Sequence, residues 1–549
     1  MKYIQGNSRE QIQMLCLDDY ITKENPVRFI DAFVNKLEID KIGIKQQISD
    51  KQKKSDANIG GAPRYDPTML LKLYLYGYLN KIRSSRKLEQ ECGRNIELRW
   101  LMHEIIPNYH SIADFRKQYP HALKALFKLY VQFMCEAGLI GKETVALDGT
   151  KFRAVNSKKN NYNQKKIDKY MSMIEEKATT YLKQLEELDK QESTTDKTVL
   201  AKEKMREGLQ QLKERKIKYE ALQIELDATK EKQISTTDPE SRALIINKNI
   251  VEVAYNTQCV VDDKHCLIIH TEATNSNDSQ ALLEHTNKAV QNVGTNKITV
   301  LADKGYYTGE QIHGCHENHI QTFVAPRDQA SAEHIEDPFL IENFRYNKKQ
   351  HSYTCPAGKT LTTTGTWHLK KRENGETRYR FQSFTTSDCE SCALRLDCTS
   401  LKRRAIHRSE FQDAVDMNNK IIKKSPEVYK RRQAIVEHPF GTIKRQWGYS
   451  YTLLKGLRKV NGEMNLIMLC YNIRRTFTIL GFEKLLQRIN TWTPDYSKVL
   501  CSYFLAFIEG IFNLNQSPMF WLRFSDAKNR PSYSASVCFY QQAIVHLGR

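Results

Sequence analysis

The chain of 549 residues contains no apolar run of the roughly 18 residues needed to cross a bilayer. The nearest stretch, residues 499–514, is too short and is broken by Glu509. The first fourteen residues are polar and lack the apolar centre of a secretory signal. These absences exclude a membrane role and set the expectation of a cytoplasmic chain. Without a signal, the 13 cysteines do not read as a disulfide framework, and most are scattered singly like buried thiols. A P-loop is also missing. Gly358-Lys359-Thr360 ends like one, but Tyr353 stands where that loop needs a glycine. Acid is scarce relative to base: 64 Asp and Glu against 84 Lys and Arg, a net charge of +20. That excess suits a nucleic-acid partner. It is concentrated in residues 401–476, where 17 basic residues face 6 acidic ones.

Against this background three acidic residues stand out. Asp148 follows Val145-Ala146-Leu147 and precedes Gly149-Thr150-Lys151. Asp303 follows Val300-Leu301-Ala302 and precedes Lys304-Gly305-Tyr306. Glu437 opens Glu437-His438-Pro439-Phe440-Gly441, inside the basic stretch. Two carboxylates at the ends of apolar strands and a third amid positive charge suit divalent-metal chemistry on phosphodiesters. Carboxylate oxygens hold hard cations, which activate a hydroxyl and stabilise the leaving oxygen. Taken alone, Asp-Gly-Thr after a strand is more often a plain turn. Asp262, Asp263 and Asp278 read as turn and helix-start residues.

Residues 1–135 read as an all-α domain. One helix starts at Asp66-Pro67, others follow Ser84-Ser85 and Ile96, and Ser111-Ile112-Ala113-Asp114 reads as a capping box for a helix running past Tyr130. Short helices joined by tight turns fit a helix-turn-helix DNA reader or a dimerisation bundle. Strands are expected at 143–147, 255–261, 266–271, 298–302 and 321–325, with helices from about Asp278 and from Thr308, the latter behind a second capping box. The Lys/Glu-rich segment 158–235 reads as a helical hairpin or coiled coil turning at Thr194-Thr195. Segment 333–408 carries Cys355, Cys389, Cys392 and Cys398, a set of thiols suited to tetrahedral zinc, to redox pairing or to no ligand at all. His313, Cys315, His316 and His319 form a second metal-like group at the end of a short helix. Residues 485–549 form an aromatic-rich tail.

Together and in this order, the three acidic motifs resemble the DDE transposases of bacterial insertion sequences, over about residues 10–480. The resemblance implies a ribonuclease-H-like α/β catalytic core, residues 140–330 and 409–480, split by the helical insertion and by a small zinc-ribbon-like one. In such a sheet the first and fourth strands are neighbours, which would unite Asp148 and Asp303 across 155 positions. The segment from Gly61 to Pro67 and residues 110–117 look like the family's DNA-binding domain. One group of these enzymes carries Tyr-x2-Arg-x3-Glu-x6-Lys; here Tyr429, Arg432, Glu437 and Lys444 have one extra residue before the glutamate. Seven positions, about two helical turns, would put Glu437 and Lys444 on one face.

The resemblance further implies that Asp148, Asp303 and Glu437 bind Mg²⁺ or Mn²⁺, and that Lys151, Lys304, Tyr429, Arg432 and Lys444 contact DNA. Trp447 would stack on an unpaired base or lie in the core. The four cysteines would hold a structural zinc. Partners would be double-stranded DNA carrying terminal inverted repeats, target DNA, and a second copy of the chain in a synaptic complex. A catalytically silent DNA-binding protein and a nuclease without strand transfer are the alternatives.

Overall fold

Five strands of alternating or continuous apolar residues build the central sheet. β1 (Thr144–Arg153) lies in its middle, and β2 (Ile250–Asp262) pairs with it antiparallel from Val145 opposite Asp262 to Arg153 opposite Ala254. β3 (Ile268–Thr274) pairs antiparallel with β2. On the other side β4 (Ile298–Ala302) runs parallel to β1, and β5 (Ile320–Val324) parallel to β4. A further strand, Arg242–Asn247, extends the first half of β2. The order β3-β2-β1-β4-β5 in a mixed sheet flanked by helices is consistent with a ribonuclease-H-like core. The computed structural model describes residue 14 and residues 16–45, 64–190, 196–229, 231–247, 250–295, 297–326, 337–371 and 377–497. All the elements named here lie in one compact unit, Met1–Pro494. Among the described residues no helix is long and apolar enough to cross a membrane.

The strand boundaries differ from expectation in one important place. β1 does not stop at Asp148 but continues to Arg153, because β2 is long enough to supply ladder partners that far. Its parallel neighbour β4 ends sooner, at Ala302 opposite Leu147.

Among the described residues six α-helices precede the sheet: α1 (Pro26–Asn35), α2 (Pro67–Leu79), α3 (Ser85–Arg94), α4 (Ile96–Leu101), α5 (Tyr109–Gln118) and α6 (Pro120–Glu136). Asn25, Asp66, Ser84, Asn95 and Asn108 cap the first five through their side chains. The expected cap at Ser111 is therefore displaced: Asn108 accepts from the Ser111 amide, at 2.9 Å. The expected single helix past Tyr130 is two, because Pro120 cannot continue α5 but suits the first position of a new one. Every residue of α2 from Leu70 to Leu79 is buried.

Between the strands come α7 (Gln164–Lys190), α8 (Asp196–Thr229), α9 (Leu282–Val293) and α10 (Gly309–Glu317). After them follow α11 (Gln412–Lys424), α12 (Pro426–Phe440), α13 (Leu457–Leu480) and α14 (Phe482–Thr491). Helices α7 and α8 form an antiparallel hairpin, shown by the pairs Gln164–Gln223 at 2.8 Å and Asp189–Lys202 at 2.6 Å. Its expected turn, Thr194-Thr195, lies outside the described residues. The Thr308 capping box is not made; the Thr308 hydroxyl donates instead to the Ser279 carbonyl, at 2.5 Å.

Helix α13 joins the amino-terminal helices and the sheet into one core. Tyr130 shares a 2.6 Å hydrogen bond with Thr476, and the buried Arg83 pairs with the buried Glu463 at 3.5 Å. Asn461 and Asn472, three turns apart on α13, exchange hydrogen bonds with the main chain of Ala273 and Ile268 on β3. Asn418 on α11 does the same for Val324 on β5. Both outer strands of the five are thus engaged by amide side chains in place of another strand. Beyond α13, Leu485 and Ile489 of α14 are buried, and Trp492 packs at 5.4 Å on Phe133. The first residues of the expected tail thus belong to this core; residues 498–549 lie outside the described residues.

The second insertion carries short antiparallel strands, among them Arg345–Asn347, Ser352–Thr354 and Thr377–Phe384. They enclose a small core of Phe344, Tyr353, Leu361, Phe384 and Ile406.

Candidate active site

The register that pairs Leu147 with Ala302 brings the next residue of each strand, Asp148 and Asp303, to neighbouring positions. Asp148 sits mid-strand, with one carboxylate oxygen accepting from the Gly149 amide at 2.8 Å. Its other oxygen faces the Arg432 guanidinium, 3.4 Å away on α12. Asp303 leaves the end of β4 and caps the turn Lys304–Tyr306, accepting from the Gly305 amide at 2.8 Å. Burial pushes Asp148 up to about 6; Arg432 opposes this, and the negative charges of Asp303 and Asp278 add to it. The two neighbouring acids therefore form a pair of carboxyl groups that the protein does not fully neutralise.

Side chains alternate across a strand. Asp148 shares its face with Cys259, its partner on β2, and with α12. Lys444 reaches the same region. Its ammonium donates to the Lys151 carbonyl at 2.7 Å and lies 5.0 Å from the centre of the Phe152 ring. Burial, then repulsion from Lys151, brings it down to about 8.

The opposite face of β1 holds a different assembly. Gly149 leaves room there for the side chains of Asp278, Asn256 and Gln258. Asp278 accepts from Asn256 and Gln258, both at 2.7 Å, and from the Lys151 ammonium at 3.1 Å. Burial works against its charge, but Lys151 and the two amides prevail and hold Asp278 below its ordinary value. The completely buried Tyr306 donates its hydroxyl to Gln258 Oε1. Sequence reasoning set Asp278 aside as a helix-start residue. The available signal was Gly149 itself, since a glycine inside a strand marks close approach by another group.

The remaining expected residues are placed as follows. Glu437 is exposed on α12 and accepts from Gln433 of its own helix at 2.8 Å. Its expected alignment with Lys444 is not kept. Residues Gly441–Gln446 form a π-helix, whose wider turn changes the angular relation while Lys444 turns into the sheet. Lys304 is exposed and Tyr429 half-buried. Trp447 lies in the core, 5.6 Å from Tyr449 and edge-on to it.

Cys355, Cys389, Cys392 and Cys398 line one small cavity of about 20 Å³ beside Phe344 and Leu361. Among the described residues, though, the one trio of His, Cys, Asp or Glu ligand atoms within 4.8 Å of one another is His270, Glu272 and His285. There Lys124 and Lys288 already neutralise Glu272, and the imidazoles bond to each other at 3.0 Å. The group near His313 does not converge: His313 faces Glu317, His316 faces Met417, and Cys315 is buried.

Two family models match the chain. A transposase domain (DUF772) covers residues 15–118, and a transposase DDE domain covers residues 354–477. The second includes Glu437 and Lys444 but begins after Asp148 and Asp303. No curated protein and no solved structure matches.

Proposed function

For a transposase with a DUF772 amino-terminal domain and a DDE domain, a phosphoryl-transfer enzyme acting on DNA, we propose that Asp148 and Asp303 are the two aspartates of the catalytic centre. The supporting observation is the side-by-side placement of β1 and β4, which makes neighbours of two carboxylates 155 positions apart. Glu437, within the matched DDE segment, is the third acid. Its helix also delivers Arg432 to Asp148. In this structure Glu437 accepts from Gln433 of its own helix.

An anionic pair of oxygen donors, with Asp148 raised to about 6, fits Mg²⁺ or Mn²⁺. Bound there, a divalent cation supplies an activated oxygen nucleophile and stabilisation of the leaving oxygen. The chain's own residues orient and neutralise. Arg432 limits repulsion at Asp148, Lys444 sets positive charge beneath β1, and Lys304 and Tyr429 meet the DNA backbone. Lys151 supports the site through Asp278. Hydrolysis frees a 3′-hydroxyl at the element end, and that oxygen then displaces another 3′-oxygen from phosphorus in the target. The amino-terminal helices read terminal inverted repeats, and two copies synapse the ends.

We further propose that the four cysteines of the second insertion hold a structural zinc, supported by their common cavity. About one zinc per chain in the purified protein, lost in Cys389→Ser, is the expected result; a zinc-free folded protein overturns it.

Mg²⁺-dependent cleavage and joining of duplexes bearing the element's ends tests the main reading. Asp303→Ala is expected to lower both by about 10³-fold or more, since cation binding supplies several kcal/mol. Cleavage without joined product would indicate a nuclease. Tight end binding with no cleavage by the native chain would indicate a silent DNA-binding protein.

A further inference from the structure

The hydrogen-bonded ladder between β1 and β4 stops at Leu147 and Ala302, one residue short of both aspartates. What lies past that point is a side-chain relay. Tyr306, three residues after Asp303, is completely buried and donates its hydroxyl to Gln258 Oε1. Gln258 stands opposite Gly149 on β2, next to the partner of Asp148. Its Nε2 donates to Asp278 Oδ1 at 2.7 Å. Asp278 is also bonded to Asn256 and Lys151, so both ends of its carboxylate are tied to β1 or β2. It packs against the Asp303 turn as well: a Cβ at Gly305 would lie 3.7 Å from Asp278 Cβ and Oδ2.

We propose that Tyr306, Gln258 and Asp278 are positioning residues, which fasten the Asp303 turn to β1 and β2 and thereby set the separation of Asp303 from Asp148. The proposal rests on the reading of those two aspartates as the catalytic pair. Gln258 bonds to both Tyr306 and Asp278, and its amide is used from both ends: the oxygen accepts from the turn and the nitrogen donates to the carboxylate. Gln258 is therefore the joint of the relay, and its loss should free the turn from the strand. A hydroxyl or amide that served packing alone would affect stability and leave cation affinity unchanged.

The test uses the full chain and four variants: Tyr306→Phe, which removes one hydroxyl; Gln258→Met, which keeps length but cannot bond; Asp278→Asn; and Asp148→Ala. Mn²⁺ affinity is measured by electron paramagnetic resonance, cleavage rate against Mg²⁺ at saturating DNA, DNA affinity by gel shift, and folding by thermal melting. Tyr306→Phe and Gln258→Met are expected to weaken Mn²⁺ binding about 5- to 10-fold and slow cleavage about 10- to 100-fold, with DNA affinity within about twofold, as misplacement of reacting groups by an ångström does. Asp278→Asn is expected to act in the same direction. Native Mn²⁺ affinity and cleavage in Tyr306→Phe and Gln258→Met would overturn the proposal, whatever their melting temperatures. If either fails to fold, the other carries the decision. Asp148→Ala separates the two levels: inactive Asp148→Ala beside native-like Tyr306→Phe removes the relay alone, whereas active Asp148→Ala removes the catalytic pair itself.

Discussion

The two faces of β1 treat negative charge in opposite ways. On one, Asp148 is half-buried with one guanidinium at 3.4 Å and one amide, and its carboxyl is held up at about 6. On the other, Asp278 receives an ammonium and two amides and is held below its ordinary value. The residues are close in the fold, with Gly149 between them: its amide donates to Asp148 and its bare Cα faces Asp278. The difference lies in how many donors the protein supplies to each. A carboxylate whose donors are all supplied by the protein is structural, and its charge is already balanced. One left short of positive charge retains affinity for a cation from outside.

If Asp278 is the balanced acid, its removal should be the more damaging change to the fold. Asp278→Ala leaves the Lys151 ammonium and the amides of Asn256 and Gln258 without their acceptor in a largely buried place. Breaking such a pair from one side costs about 3–5 kcal/mol. Urea denaturation at pH 7 should show a loss near the lower end of that range, because Lys151 can turn partly to water. A loss under about 1 kcal/mol would mean that the network holds little of the fold, and the contrast between the faces would collapse.

Much of the sheet was legible because its signals are local. Residues 298–302 were placed correctly because five apolar residues ended by Asp303 leave little choice. β1 was cut short because Asp-Gly-Thr-Lys carries turn chemistry, and only the long partner β2 makes that segment a strand. Pro120 was readable as a helix start, but the continuous apolar pattern on both sides hid it. At the site, Asp148 and Asp303 stood out because each follows an apolar run. Asp278 did not, since Asn277-Asp278-Ser279 has the composition of any helix entry; its contacts to Lys151 and Gln258 span 127 and 20 positions. Glu437 and Lys444 were expected on one face by α-helical geometry, and the π-helix at Gly441–Gln446 changes that geometry. A π turn is set by tertiary packing and leaves no periodicity to read.

Gly149 is the hinge between the faces, and a methyl group there sharpens the comparison. A Cβ would point away from Asp148 into the Asp278 side, 2.8 Å from both Asn256 Oδ1 and Gln258 Nε2 and in conflict with Asp278 Oδ1. The three side chains would have to part. Gly149→Ala should destabilise the chain by about 2 kcal/mol, in the range of overpacking a close-fitted interior. Thermal or urea denaturation measures it. A neutral substitution would show that the amides and Asp278 move aside freely, which a tightly held network does not do.

The smallest expected effect has the opposite sign and is the most discriminating. An aspartate in the unfolded chain titrates near 3.9, whereas Asp148 in the fold is held at about 6. A raised value means that the fold favours the protonated acid. The contribution of that acid is fully present below about pH 4 and lost as pH rises through 6. Above pH 6, ionised Asp148 is a standing destabilisation of at most about 3 kcal/mol, less what water reaching the half-buried carboxyl returns. Asp148→Asn should therefore be more stable than the native chain at pH 8 in EDTA, by up to about that amount, with the gap closing toward pH 4. Mg²⁺ should narrow the gap at pH 8, since a cation that binds only the folded native chain stabilises it. Asp278→Asn should show the reverse: its depressed value makes the ionised form the stabilising one, so the loss is largest at neutral pH and shrinks on acidification. Paired urea titrations from pH 4 to 8 read both trends. If Asp148→Asn is less stable than the native chain at pH 8, Arg432 and the Gly149 amide already satisfy that carboxylate, and no charge remains there to attract a metal.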